Sequence, residues 1–324
     1  MKKHLRIIYM GTPEFAVEPL QSMLEAGYEV AAVITIPDKP KGRGRKIQES
    51  PVKRFASLHQ IPVLQPVNLK APGFITELQS YNANLQVVVA FRMLPEIVWQ
   101  MPEFGTLNLH ASLLPQYRGA APINHAIING ETETGITTFF IEKEIDTGKI
   151  ILSEKHPIFP NDDAGTLHDR LMLAGGKLIV RTLELISNNK VNEISQDVLA
   201  DKNTSLKIAP KLFKDDCRID WNTGCEEIHN RIRGLSPYPG AFTMLESENR
   251  PAQFLKIYKS GFQIQKVTEI PGTIVSDYKN LLSIYAENGL IHLLEVQLEG
   301  KKRLNVEEFL RGTEIRGSHI AKSN

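Results

Sequence analysis

The sequence predicts an α/β fold: an open, mostly parallel sheet in the first part of the chain, then a small β-barrel. Three observations predict it. A strand, a helix and a second strand can be read within the first ~35 residues, about the size of one crossover unit. Apolar runs and amphipathic stretches then alternate as far as Ile186. Beyond Pro210 the texture changes to short alternating segments separated by turn residues, the pattern of a small barrel.

Leu5 to Met10 is a short apolar run ending at Gly11-Thr12-Pro13, which reads as a buried strand feeding a turn. Glu14 to Ala26 places Phe15, Val17, Leu20, Met23 and Leu24 on one helical face, with Gly27 as the stop. Val30 to Ile36 is β-branched and completes a βαβ unit, which implies parallel pairing. Helices follow over Pro51 to His59 and Pro72 to Tyr81, then a buried strand over Leu85 to Phe91 and a short helix over Leu94 to Met101. Gly105 to His110 is a strand, Ala121 to Asn129 a helix closed by Gly130, and Gly135 to Ile141 and Ile150 to Ile158 are strands. Ala164 to Ile186 is a long amphipathic helix. Residues 1–189 are therefore expected to form the first domain, 190–208 a polar connection, and 209–324 the barrel. In this last part Gly224 to Arg233 reads as a helix. Strands are expected at Ala241 to Glu246, Ala252 to Ser260, Gly272 to Val275, Leu281 to Ala286 and Leu290 to Leu298.

Composition bounds the function. The chain has 324 residues, 42% hydrophobic and 23% charged, with a formal net charge of +1. This suits two soluble domains and excludes a protein coated in basic charge, while leaving room for a local basic patch. No stretch approaches the roughly 20 apolar residues that span a bilayer. Two cysteines, Cys217 and Cys225, fit no zinc spacing and read as reduced thiols, so a cytoplasmic chain is expected.

The first βα turn, Gly11-Thr12-Pro13-Glu14-Phe15, matches no dinucleotide or Walker pattern. The informative stretch is Asn108-Leu109-His110-Ala111-Ser112-Leu113-Leu114-Pro115, at the carboxyl end of an expected strand. Asn108 and His110 are two apart and face the same side. An amide beside an imidazole can donate to an oxyanion, and the imidazole can also move a proton near neutral pH. Alone, an Asn-x-His pair is more often a loop cap beside a hydrogen-bonded core histidine. Asp146, between two expected strands, could hold the orientation of an imidazole; alone, an Asp-x-Gly turn is more often a solvated aspartate. Asp38 to Lys46 sets Lys39, Lys41, Arg43, Arg45 and Lys46 against one acid, with Gly42 and Gly44 between them. That composition suits a loop gripping phosphates, or a solvated charged loop, and its lack of aromatics argues against base stacking.

Taken together, these pieces resemble the methionyl-tRNA formyltransferase family. The resemblance runs from Leu5 almost to the C-terminus. It is carried by Asn108 to Pro115 continuing through Ile123, by Gly130-Glu131-Thr132-Glu133-Thr134-Gly135 and by Asp146-Thr147-Gly148, a core shared with other folate-dependent formyltransferases and hydrolases. More selective are Gly11 to Ala16, Lys39 to Lys46, Ser50-Pro51-Val52-Lys53, Ile208 to Leu212 and Arg218-Ile219-Asp220-Trp221. The resemblance implies a Rossmann-like formyl-transfer domain and a C-terminal barrel of the OB type that helps hold tRNA. It implies 10-formyltetrahydrofolate as donor, initiator methionyl-tRNA as acceptor, and no metal; a monomer is expected. Asn108, His110 and Asp146 take the positions of the family's catalytic trio. Ser112, Leu113, Leu114 and Pro115 match the segment lining the folate site, with Phe91 and Leu94 at its border. Lys41, Gly42, Arg43, Gly44, Arg45 and Lys46 match the loop that reaches towards the acceptor stem. One departure is visible: after Val87-Val88-Val89-Ala90 the run is Phe91-Arg92-Met93-Leu94-Pro95, lacking the family's usual glycine and about one residue shorter. The alternative acceptor is a nucleotide-sugar amine, which would not need the basic Gly-Arg loop.

Overall fold

Ile7, Ile8, Tyr9 and Met10 are all fully buried, so the first strand must be covered on both faces. The computed structural model, which describes residues 2–41, 46–199, 205–247, 250–315 and 317–320, shows how. The chain divides into two units: Met1–Gly119 with Glu133–Pro157 and His168–Ile208, and Ala120–Thr132 with Ile158–Leu167 and Ala209–Asn324.

The elements up to Leu199 run in chain order as β1 (Arg6–Gly11), α1 (Val17–Glu25), β2 (Glu29–Ile34), β3 (Lys39–Lys41), β4 (Lys46–Gln48), α2 (Pro51–Leu58), β5 (Val63–Leu64), α3 (Pro72–Ser80), β6 (Leu85–Val89), α4 (Glu96–Trp99), β7 (Thr106–His110), β8 (Arg118–Gly119), α5 (Pro122–Ile128), β9 (Glu133–Phe140), β10 (Ile150–Pro157), α6 (Ala164–Ser187) and α7 (Gln196–Leu199). The main sheet has the order β10-β9-β7-β6-β1-β2-β5. Pairing is parallel from β5 to β7 and antiparallel for β7–β9 and β9–β10. The mostly parallel sheet expected from the sequence is thus present. The chain leaves the centre towards β5 and returns on the other side at β6, so the topological switch lies between β1 and β6. In such sheets ligands sit beyond the carboxyl ends of the strands near that switch.

Alternation along β1 sorts its side chains. Ile8 and Met10 join Ala32, Ile34 and Val88 under Phe74, Ile75 and Leu78 of α3 and Val98 of α4. On the sheet's other side α6 approaches so closely that a Cβ on Gly175 would stand 2.7 Å from Leu109 Cδ2, and Thr182 of α6 bonds Thr138 of β9 at 2.9 Å. Asn108 pairs in register with Val88, which places Asn108 and His110 on the opposite face from Leu109.

Helix α2 starts on a cap rather than on hydrophobicity. Ser50 Oγ accepts from Lys53 N at 3.0 Å and pairs with Thr35 Oγ1 at 2.8 Å, with Ser50 only 7% exposed. Ser50→Ala is expected to destabilise by about 1–2 kcal/mol, read as a lower urea midpoint at unchanged slope.

The later elements of the second unit are β11 (Ile208–Ala209), α8 (Cys225–Leu235), β12 (Ala241–Ser247), β13 (Arg250–Ile264), β14 (Ile274–Ser276), β15 (Leu282–Ala286), β16 (Gly289–Leu298), β17 (Leu304–Asn305), α9 (Val306–Gly312) and β18 (Ser318–Ile320). An antiparallel sheet of order β14-β15-β16-β13-β12-β18, with β17 on β16, curls around a core of Leu255, Ile257, Ile284, Ile291, Leu293, Val296 and Phe309. Ile228, Ile232 and Leu235 of α8 belong to the same core. It is a nearly closed barrel-like sheet, as the short alternating segments predict. Strand β13 runs four residues beyond its expected end, with register breaks around Lys259 that bend it. The additions are β11, β17, α9 and β18, too short to show a period.

Candidate functional site

Strand β7 ends at His110, which is buried at 7% exposure, with Asn108 half-buried two residues before it. His110 Nε2 lies 2.9 Å from the Tyr117 carbonyl oxygen. A carbonyl only accepts, so Nε2 carries the hydrogen and donates. That leaves Nδ1 facing Asp146 Oδ2, 3.8 Å away. The distance is that of a loose ion pair, not a hydrogen bond. The same carboxylate oxygen accepts from Gly119 N at 2.9 Å.

Two residues in this small space hold left-handed backbone conformations: Tyr117 at φ 60° and Asp146 at φ 56°. Such conformations cost non-glycine residues energy and persist where surroundings impose them. Around Asp146 the surroundings are explicit. Gln196 Nε2 donates to the carbonyls of Asp146 and Gly148, both at 2.8 Å, and Gln196 Oε1 accepts from Arg118 Nε at 3.0 Å and Nη2 at 2.6 Å.

Ser112, Leu114 and Pro115 are buried and Leu113 is partly exposed. Ser112 Oγ donates to Gln116 O at 2.6 Å, Thr137 Oγ1 donates to Ser112 O at 2.7 Å, and Leu114 N donates to Thr137 Oγ1 at 3.3 Å. The segment is thus laced to β9, and its side chains mostly face inward. Leu114 packs with Phe139 and Ile150, and Ile141 leans on that group. Ile141 leans equally on the cluster holding Leu94 and Phe91. The two segments expected to border one pocket therefore meet at one residue. Arg92, at the family departure, turns aside: its guanidinium donates to the carbonyls of Pro66 and Val67, and burial pulls its pKa below the usual arginine range.

The basic loop is placed in part. Strands β3 and β4 form its stem, pairing Lys39 with Gln48 and Lys41 with Lys46; Gly42, Arg43, Gly44 and Arg45 lie outside the described residues. At its root Lys53 Nζ bonds Asp38 at 2.5 Å and Glu49 at 3.0 Å, and Gln65 donates to Asp38 at 2.7 Å. The bonds from Lys53 and then Gln65 hold the Asp38 carboxyl below its ordinary pKa, and the bond to Asp38 raises that of Lys53.

Asn108, His110 and Asp146 are thus brought to one strand end, with an amide that can donate, an imidazole that can pass a proton, and a carboxylate that can orient it. Gln196 and Thr137 were not anticipated. Gln196 lies in the stretch without periodicity, and nothing in its neighbourhood in sequence marks it. Among the described residues, no group of three or more His, Cys, Asp or Glu is placed to hold a metal ion, and no helix is long and apolar enough to cross a membrane.

The formyl transferase family model matches residues 4–183, and the model of the formyl transferase C-terminal domain matches residues 211–314. A methionyl-tRNA formyltransferase of Bacteroides fragilis is 54% identical over 311 residues, 96% of this chain and 96% of that protein. Two solved structures share the fold. An N-formyltransferase from Helicobacter canadensis in complex with folinic acid and dTDP-3-aminofucose is 22% identical with a TM-score of 0.61, over 89% of this chain and 98% of that one. HypX from Aquifex aeolicus in complex with tetrahydrofolic acid is 16% identical with a TM-score of 0.63, over 95% of this chain and 47% of that one.

Proposed function

The chain belongs to the methionyl-tRNA formyltransferase family, and from that premise we propose that it moves the formyl group of 10-formyltetrahydrofolate onto the α-amino group of initiator methionyl-tRNA. The product is N-formylmethionyl-tRNA for translation initiation. The observation that carries the reading is the meeting of Asn108, His110 and Asp146 at the carboxyl end of β7, with His110 Nδ1 turned to Asp146.

A free α-amino group has a pKa of about 8, and that of an aminoacyl ester is lower still, so much of the acceptor is already neutral at physiological pH. Positioning it against the formyl carbon is the larger task. As nitrogen adds to that carbon, the carbonyl oxygen gains charge; Asn108 donates to it, and His110 does so once its Nε2–H turns from the Tyr117 carbonyl. Asp146 keeps the His110 ring oriented and helps carry the proton lost by the amine to the departing folate nitrogen. The bond from that nitrogen to the formyl carbon breaks as the new amide is completed. Partly exposed Phe91 and Leu113, with Ile141 between the cluster of Phe91 and that of Leu114, offer the apolar flank that a flat ring system needs, so the residues present fit a folate.

Residues 1–189 carry the chemistry in this reading, 190–208 connect while their Gln196 bonds the turn of Asp146, and the barrel of 209–324 helps hold the tRNA. The protein works as a cytoplasmic monomer, with Cys217 and Cys225 as buried free thiols. The loop from Lys41 to Lys46 grips phosphates. Arg43→Ala with Arg45→Ala is expected to raise the KM for tRNA and to flatten its salt dependence by roughly one unit of log–log slope for each phosphate that is no longer neutralised. The measurement is initial rate against tRNA concentration at several salt concentrations.

The direct test incubates the purified chain with 10-formyltetrahydrofolate and charged initiator methionyl-tRNA and counts formyl groups on the aminoacyl-tRNA. A parallel reaction offers a sugar-nucleotide amine. Transfer to tRNA supports the reading. Transfer to the small amine alone keeps the chemistry and overturns the acceptor.

A further inference from the structure

We infer that Gln196 is a positioning residue for this reaction: its side-chain amide clamps the turn bearing Asp146 to the strand bearing Arg118 and Gly119, and so sets where the carboxylate stands against His110. The inference rests on the reading that Asp146 acts through His110.

The geometry spends the whole amide. Both Nε2 hydrogens go to carbonyls of the turn, at Asp146 and Gly148, and Oε1 takes two hydrogen bonds from Arg118. Gln196 is only 2% exposed, so water cannot readily replace these partners. The two things it joins are the two walls of the site. Arg118 precedes Gly119, whose N–H holds the Asp146 carboxylate, and Tyr117 supplies the carbonyl that holds His110 Nε2. Asp146 sits at φ 56°, a left-handed conformation uncommon for residues other than glycine, although aspartate tolerates it better than most. The segment carrying Gln196 is itself fixed, because Ile194 and Ile150 exchange both backbone hydrogen bonds at 2.9 Å.

Residue chemistry is selective at this position. A glutamate could still accept from Arg118, but its carboxylate would confront two carbonyl oxygens it cannot donate to. A methionine has nearly the same length and satisfies neither side. Gln196→Met is therefore expected to lower kcat roughly 10–100-fold with each KM within about twofold, because the turn is displaced and not the substrates. Gln196→Glu is expected to lower kcat as well.

The experiment measures formylation of methionyl-tRNA by both variants, normalised to the folded fraction. It repeats the measurement with Gln196→Met and Gln196→Glu in an Asp146→Asn background. If Gln196 acts through Asp146, its replacement costs less than about threefold there, a non-additive cycle. Undiminished kcat per folded molecule in the single variants, or a full additional drop in the Asp146→Asn background, overturns the inference. Should Gln196→Met not fold, Gln196→Glu carries the same comparison. A wild-type chain without formyl transfer defeats the functional reading instead, so the two failures are distinguishable.

Discussion

Asn108→Ala is expected to lower kcat for formyl transfer by about 10²–10³-fold, the usual effect of removing one oxyanion donor. Stability should barely move. Asn108 is half-buried on β7, and among the described residues its side chain makes no hydrogen bond that folding depends on. His110→Ala should cost at least as much, but it also strips a partner from the Tyr117 carbonyl, so its kinetic and structural effects mix. Asn108 is the cleaner probe for that reason. KM for methionyl-tRNA should stay nearly constant, since the amide is asked to bind charge that exists only once the tetrahedral centre forms. Wild-type kcat in a folded Asn108→Ala protein would sink the assignment.

The fold was legible where periodicity is long. Helix α6, 24 residues of amphipathic pattern, is expected and found within a residue at its end, and β1, buried beyond Arg6, and the buried β6 read as apolar runs bounded by turns. Of the elements of two to four residues, β5, β8 and α7 carry no period and were missed, while α4 and β14 were expected. The site divides the same way. Asn108 and His110 share a strand, so their common side follows from spacing alone. Asp146 reaches His110 from a turn some 36 positions away, a pairing that comes from the antiparallel return of β9 and β10 and that sequence could supply only by resemblance. Gln196 is further still and belongs to no motif. A buried glutamine that bonds backbone carbonyls leaves no pattern in the chain, because its partners are main-chain atoms whatever their side chains are.

Gly148→Ala is expected to be the most damaging small substitution in the turn of Asp146. A Cβ on Gly148 would stand 1.7 Å from the Phe140 carbonyl oxygen and 3.2 Å from Phe139 Cδ2. Since approaches below about 3 Å do not persist, turn and strand must part by more than about 1 Å. Strand β9 resists, being paired on both edges, with β7 and β10, and Phe140 N bonds Lys149 O at 3.2 Å. The turn therefore yields, and it carries with it the Gly148 carbonyl that Gln196 holds and, two residues earlier, Asp146 itself. A displacement of that size at a reacting constellation can cost about 10²-fold in rate. The expected result is kcat down by about that factor with a clear drop in thermal midpoint. Gly73→Ala is the matched control: in α3 its Cβ meets nothing within 4 Å, so stability should hold or rise by up to about 1 kcal/mol and kcat should not change. Equal kcat in both variants would mean that the position of the Asp146 turn does not govern the reaction, whatever the carboxylate itself contributes.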